Sequence, residues 1–141
     1  MAALSIQYIA GFFDGEGSVG LKHGRSGTYW VLYQSGARGK AVLEEVQAMF
    51  PPLVRPPYLN GPIPYKQSPN GIRIPQVGYA LIVSYRPDII TLCRWLLPYL
   101  RVKRAEVGDL IRFDTLYPGI LPGTVPYGML ISEGRRRGRH A

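Results

Sequence analysis

The chain has 141 residues, of which 46% are hydrophobic and 18% are charged, and this composition suits one globular domain with a buried core. Lys and Arg total 17 against 9 Asp and Glu, so the formal net charge is +8, which predicts a polyanionic partner, either nucleic acid or an anionic membrane. A single cysteine, Cys93, and two histidines exclude an internal disulfide framework and a cysteine-based zinc site.

Neither the N-terminus nor the longest apolar stretch carries a targeting or membrane signal. Met1 is followed by Ala-Ala-Leu-Ser, without the basic segment and apolar run of a signal peptide. Charged residues and a proline interrupt the apolar stretch 79–100, so it predicts a strand followed by a helix rather than a membrane span. We therefore expect a cytoplasmic protein with no membrane partner.

Hydrophobic periodicity predicts a regular alternation of helices and strand pairs. Ser5 can cap a first helix, whose apolar side carries Ile9, Ala10 and Phe13 and whose end is marked by the glycines of 14–17. Further along the chain we predict strands over 18–23 and 28–34, a helix over 39–50, a strand over 77–85, and helices over 87–97 and 102–116.

The proline-rich stretch 51–76 is harder to interpret. Asn60-Gly61 and Asn70-Gly71 are turn signals, and we expect one or two short edge strands there, because sheet edges tolerate proline. The fold class is therefore α+β, with the order αββαββα and an extra C-terminal helix. We expect one domain over residues 1–128 and a flexible basic tail over 129–141.

One segment, Tyr8 to Ser18, combines small residues with acids in a way that suggests chemistry. Gly11 and Gly15 lie four residues apart and share a helix face, which lets a second helix approach closely. Two acids, Asp14 and Glu16, follow at the C-terminal end of this helix, where negative charge is unfavourable unless a cation is present. Carboxylate and carbonyl oxygens suit Mg²⁺, but one chain offers few such ligands, so two copies would have to share the site.

The residues Ile9-Ala10-Gly11-Phe12-Phe13-Asp14-Gly15-Glu16-Gly17 resemble the LAGLIDADG motif of homing endonucleases. They depart from its usual pattern at Glu16, where the family has Asp; the carboxylate is kept on a longer arm. The resemblance extends over roughly residues 4–116, strongly at 8–18 and weakly elsewhere. It implies a saddle-shaped antiparallel sheet and, because only one motif is present, a homodimer through the motif helices, with Ala10, Gly11 and Asp14 at the interface.

The resemblance also implies a reaction and its residues. The expected activity is metal-dependent cleavage of both strands of a long, near-palindromic DNA target, as in intron homing. The Glu16 carboxylate and the Gly15 carbonyl would bind Mg²⁺, with Mn²⁺ as an alternative and Ca²⁺ as a non-catalytic substitute. Lys103 would stabilise phosphate charge or act on a water, and Gln34 would orient a water. Asp14 is expected to brace the helix end rather than bind metal.

Strand alternation predicts which side chains face double-stranded DNA. Val19, Leu21, Trp30 and Leu32 fit the core. The predicted DNA contacts on the two strands are Ser18, Lys22, Tyr29 and Tyr33, with Arg25 in the turn between them, and Lys66 and Arg73 in the proline-rich stretch are further candidates. The Arg-rich tail would add non-specific attraction to phosphates.

Other functions on the same or a related scaffold stay open at this point. One is an RNA-splicing maturase or a DNA-binding protein that does not cleave; the acids argue against it, because pure binding gains nothing from a carboxylate beside a phosphate. Another is a basic RNA-binding protein of the ribosomal type, for which no paired helices are required.

Overall fold

The computed structural model describes residues 4–21, 28–67, 71 and 73–117, and for 64–67 and 73–76 the backbone alone. The elements are α1 (Ile6–Glu16), β1 (Gly17–Leu21), β2 (Thr28–Ser35), α2 (Gly39–Ala48), β3 (Tyr58–Gln67), β4 (Arg73–Val83), α3 (Arg86–Leu96), a 3₁₀ turn (Leu97–Tyr99) and α4 (Arg104–Leu116). This order confirms the predicted αββαββα core with an added C-terminal helix.

The four described strands form one antiparallel sheet in the order β1-β2-β4-β3. In β1, β2 and β4, alternate residues point towards the helices and are buried: Val19, Leu21, Trp30, Leu32, Leu81 and Val83. The core assignments made for the first two strands are therefore confirmed. The opposite side of the sheet, named here the open sheet face, carries Ser18, Gly20, Tyr29, Val31, Tyr33, Gly78, Ala80 and Ile82.

A stack of aromatic rings joins α1 to the sheet. Phe13 lies parallel to Trp30, with ring centroids 5.1 Å apart and planes inclined by 7°. The Phe50 ring meets Trp30 edge-on at 5.5 Å. Such offset or edge contacts add to the free energy gained from area burial alone, and they hold the buried side of α1 against β2.

The proline-rich stretch 51–76 departs from the prediction. It contains one long edge strand, β3, and the beginning of β4, instead of short strands. Asn60-Gly61 is not a turn: it lies inside β3, where the pairing with β4 shifts register between Asn60 and Ile63 and Gly61 has a φ of 141°. An edge strand can hold Gly-Pro at such an irregularity because one of its sides has no ladder to complete. Gly71, with φ 80°, lies between β3 and β4 as the second turn signal predicts.

The buried carboxylate of Asp88, on α3, holds the loop between α2 and β3 in place. Asp88, 1% exposed, accepts hydrogen bonds from the backbone nitrogens of Val54 (2.7 Å) and Arg55 (2.8 Å). Asp88 also lies in the first turn of α3, where the helix dipole favours an acid. The loop is thus held although it has no regular structure of its own.

Two predictions from the sequence concern a membrane span and the basic C-terminal tail. Within the described ranges, every helix is too short or too polar to cross a lipid bilayer. The predicted basic tail, 129–141, lies outside the described residues.

The buried Cys93 thiol predicts a pH dependence of stability. Burial, with a smaller contribution from the negative charge of Asp114, raises the pKa of Cys93 from 9.0 to about 12. The thiol of the unfolded chain loses its proton above pH 9 while that of the folded chain keeps it until about pH 12. This contribution to stability is therefore complete below pH 9 and is lost as the pH rises, by about 1 kcal/mol per pH unit.

Urea unfolding of the wild type and of Cys93→Ala, measured from pH 8 to pH 11, tests this expectation. The difference in unfolding free energy between the two proteins should shrink above pH 9, because the variant lacks the titrating group. A constant difference would contradict it.

Candidate active site and nucleic-acid interface

Helix α1 has one buried face and one open face. Ile9, Ala10 and Phe13 are 0–1% exposed and belong to the core. On the other side Gly11 and Gly15 are exposed, and a Cβ atom placed on either would meet nothing within 4 Å. A shallow groove of about 420 Å³ follows this open face, and we call it the α1 groove; its lining is Gln7, Tyr8, Gly11, Phe12, Gly15, Glu16 and Gln34.

The expected interface residues fall on different faces of α1. Gly11 lines the groove as predicted from its spacing. Ala10 has no accessible surface, so it has nothing left to offer a second chain and is not part of the interface that we propose below. Its small size serves the packing of this chain's own core instead.

Glu16 ends α1 with its side chain in solvent. It is exposed, and among the described residues its carboxylate has no hydrogen-bond or ion-pair partner. The next residue is Gly17. It has no side chain to clash with the Phe13 ring, which occupies the position that a Cβ on residue 17 would take. This close approach turns the chain sharply from α1 into β1, and Glu16 is left at the corner between the helix and the sheet.

Asp14 is tied to the segment that precedes α4. Its two carboxylate oxygens accept hydrogen bonds from the backbone nitrogens of Arg101 (2.8 Å) and Lys103 (2.9 Å). Lys103 is the N-cap of α4 and makes no side-chain cap of its own, so Asp14 supplies the cap from another helix. The acid is unfavourable at the end of α1 but favourable at the beginning of α4.

Lys103 completes the connection in the other direction. Its Nζ donates to the backbone carbonyl of Asp14 at 2.6 Å and lies 5.9 Å from the centre of the Phe13 ring. The cation expected at the C-terminal end of α1 is thus supplied by the chain itself, where it offsets the negative end of the helix dipole. Lys103 does not line the α1 groove, whereas Gln34, from the end of β2, does.

The available donors suit a metal shared between chains rather than held by one. Within the described part of the chain, no three His, Cys, Asp or Glu side chains come together. Asp14 is engaged by backbone nitrogens, which leaves the exposed Glu16 carboxylate and nearby backbone carbonyls as donors. Hard oxygen ligands of this kind match Mg²⁺ or Ca²⁺, provided that water, phosphate or a second copy supplies the rest.

The open sheet face presents the strand residues predicted to contact nucleic acid. Ser18 is exposed, and Tyr29 and Tyr33 are half-buried; the Ser18 and Tyr29 hydroxyls lie 3.4 Å apart. Lys22 and Arg25 lie outside the described residues, as do the side chains of Lys66 and Arg73. The backbone of the last two lies near the far end of the β3–β4 ladder, where Lys66 pairs with Ile74 and Gln67 with Arg73.

Three residues that line the α1 groove were not predicted as site residues from the sequence: Gln7, Tyr8 and Phe12. Tyr8 is 50% exposed, and its ring meets that of Phe12 edge-on at 6.2 Å. The signal was available, because residues 8, 11, 12 and 15 recur at helical spacing. The exposed Tyr8 and the half-buried Phe12, beside two glycines, give this face of α1 an apolar surface with little bulk.

The contrast between the two acids of α1 can be measured. Asp14→Asn keeps the shape but removes one acceptor from a pair of backbone donors, so the free energy of unfolding should fall by about 1–3 kcal/mol. Glu16→Gln changes an exposed side chain that contacts no polar group of the described residues, and it should alter the free energy of unfolding by less than about 0.5 kcal/mol. Urea unfolding checks both variants, and equal effects would contradict the roles assigned to them.

Comparison with known proteins identifies the fold. No protein-family model and no curated protein matches the sequence. Among solved structures, the homing endonuclease I-CvuI in complex with its target, in the presence of Ca, is 16% identical over 96% of this chain and 90% of its own, with a TM-score of 0.60. I-CvuI with the I-CreI target, in the presence of Mg and with the DNA not cleaved, is also 16% identical, over 96% and 95%, with a TM-score of 0.57. The chain therefore has the fold of the LAGLIDADG homing endonucleases, as its motif predicts.

Proposed function

We propose that this protein is a sequence-specific DNA endonuclease that acts as a homodimer and makes double-strand breaks at a long, near-palindromic target. The observation that carries the proposal is the exposed Glu16 carboxylate, which has no partner in the described part of the chain and lies at the end of a helix with two exposed glycines on one face. This acid stands at the corner between α1 and β1, next to the open sheet face, which no described helix covers. The two similar structures, which share the fold, are complexes of an endonuclease with DNA.

A second copy of the chain is the occupant that best fits the α1 groove. Gly11 and Gly15 are exposed with free space around them, so a helix related by a two-fold axis can approach with glycine over glycine. Tyr8 and Phe12 would flank the contact and be buried by it. The two Glu16 carboxylates would then lie near the axis, one for each DNA strand.

The acids and carbonyls at the end of α1 would hold the metal. Glu16 would bind through its carboxylate and Gly15 through its backbone carbonyl, with Mg²⁺ as the physiological ion. When bound, Mg²⁺ lowers the pKa of a water and neutralises phosphate charge. Asp14 would brace the helix end rather than bind the metal, because each of its oxygens is held by a backbone hydrogen bond to the segment before α4.

Gln34 and Lys103 would assist Glu16 in the reaction. Gln34 lines the α1 groove together with Glu16, and its amide would orient a water by one donated and one accepted hydrogen bond. The Lys103 ammonium, held at the Asp14 carbonyl, would contribute positive charge near the scissile phosphate. It also fixes the backbone that carries the Gly15 carbonyl.

The open sheet face would lie along the DNA, with the two sheets of a dimer forming a saddle. A dimer carries twice the +8 of one chain, and this surplus supplies affinity for phosphates that weakens with salt. Ser18, Tyr29 and Tyr33 would contact DNA, and Lys22, Arg25, Lys66 and Arg73 are proposed as further contacts. The protein would act in the compartment that holds its DNA target.

The central experiment is selection from randomised duplex DNA in the presence of Mg²⁺, scored for cleavage rather than for binding. Recovery of cleaved, near-palindromic sites supports the proposal. Enrichment by binding without cleavage would indicate the DNA-binding alternative, and protection of structured intron RNA without nuclease activity would indicate a maturase.

Substitution of Glu16 tests the catalytic assignment. Glu16→Gln should lower the cleavage rate roughly a hundredfold or more, because metal charge at the phosphate is worth several kcal/mol, while DNA affinity is retained. Removal of divalent ions by chelation should abolish cleavage by the wild type. Cleavage by Glu16→Gln at the wild-type rate, in the same Mg²⁺ buffer, would refute the assignment.

Substitution of Gly11 tests the dimer. Gly11→Leu places bulk where two helices must approach and should weaken association roughly 10- to 100-fold, without unfolding the chain, because the Gly11 position is open within one chain. Sedimentation over a range of concentrations measures the effect. The control is Ala48→Leu, which adds the same side chain at an exposed position of α2 and should leave the dimer intact.

A further inference from the structure

Two tyrosines on the open sheet face lie against glycines of neighbouring strands. A Cβ placed on Gly78 would overlap the hydroxyl end of the Tyr33 ring, and its three nearest atoms all belong to that side chain. A Cβ placed on Gly20 would lie 3.1–3.2 Å from three atoms at the hydroxyl end of Tyr29. Both glycines are buried although they lie on the open sheet face, because the rings cover them.

The strand register sends the two rings in opposite directions. Tyr29 and Gly20 are directly paired partners, so the Tyr29 ring leans from β2 over β1, and its hydroxyl reaches towards Ser18. Tyr33 is paired with Ala80, and Gly78 is the diagonal neighbour two residues away. The Tyr33 ring therefore leans from β2 over β4. Val31 lies between the two tyrosines on the same strand.

The backbone itself does not require glycine at either position. The left-handed φ values of the described chain occur at Gly36, Gly61 and Gly71, and neither Gly20 nor Gly78 is among them. Gly20 lies in a regular, paired strand segment, where glycine weakens a strand compared with residues that have a side chain. Gly78 pairs regularly with Ser35 of β2, but on its other side it lies opposite Ile63 of β3, between two register shifts. Among the described residues, the Tyr29 ring is what a side chain at position 20 would meet, and the Tyr33 ring is what a side chain at position 78 would meet, beside the irregular pairing with β3.

We propose that Gly78 and Gly20 are positioning residues for DNA recognition. Each glycine leaves room for one tyrosine ring to lie against the sheet, and this contact fixes the tilt of the ring and the place where its hydroxyl meets DNA. This inference rests on the proposed function, with the open sheet face as the DNA-binding surface. A tyrosine has two side-chain torsions, so a ring held against the sheet loses little further entropy on binding. Its hydroxyl can donate to a phosphate oxygen or to an acceptor on a base edge.

The two glycines differ in how closely the tyrosine ring approaches them. A methyl group at position 78 cannot coexist with the present Tyr33 ring, which must turn away from the sheet. A methyl group at position 20 requires a shift of a few tenths of an ångström. Gly78→Ala should therefore disturb recognition more than Gly20→Ala, and both should keep the fold, because the atoms in the way belong to flexible side chains.

The test measures DNA binding by the full chain in Ca²⁺ buffer, with the site obtained by selection and all its single-base variants. Gly78→Ala should bind the selected site roughly three- to tenfold more weakly, the loss of one ordinary hydrogen bond, and should change base preference at one or two positions in each half-site. Gly20→Ala should show a smaller effect. Gly108→Ala, on α4, where a Cβ would only touch Leu97 at 4.0 Å, is the matched control and should match the wild type.

A double-mutant comparison separates positioning from a structural effect. In a Tyr33→Ala background, Gly78→Ala should cause no further change in affinity or base preference, because the glycine acts through the ring. An equal loss in both backgrounds, or a wild-type binding profile for Gly78→Ala, would overturn the inference while leaving the endonuclease proposal intact. If the wild type binds no duplex DNA, the proposed function fails first, and this inference fails with it.

Discussion

The reciprocal contact between Asp14 and the segment before α4 is the constraint on which the proposed site depends. Asp14 caps α4 through two backbone nitrogens, and Lys103 returns a hydrogen bond to the Asp14 carbonyl. Each charge lies where a helix end favours it: the acid at an N-terminus and the ammonium at a C-terminus. Together they fix the last turn of α1, from which the Gly15 carbonyl and the Glu16 carboxylate project.

This contact also separates two acids that look alike in the sequence. Both carboxylate oxygens of Asp14 accept backbone hydrogen bonds, so its negative charge is compensated within the chain. Glu16, two residues later, stays exposed and unpartnered among the described residues and is a local negative exception in a strongly basic chain. A carboxylate at that place gains nothing for phosphate binding, but it suits the proposed divalent ion, which takes hard oxygen ligands.

The prediction from sequence succeeded where one local signal determines one local structure. Ser5 does cap α1, its side chain accepting from the Tyr8 nitrogen at 3.1 Å, and period-two alternation correctly assigned Trp30 and Leu32 to the core. It failed at Asn60-Gly61, because a turn signal inside an edge strand is overridden by pairing with β4, a long-range interaction that no local pattern contains.

The sequence by itself determined the order of the elements, the buried side of β1 and β2 and the spacing that leaves Gly11 and Gly15 on one face of α1, because these follow from helix and strand periods. Only the tertiary structure decided what the groups on those elements do. Asp14 and Lys103 are 89 residues apart in sequence, and the Tyr33 ring of β2 lies against Gly78 of the neighbouring strand β4. Such contacts depend on packing between distant segments, which periodicity does not encode.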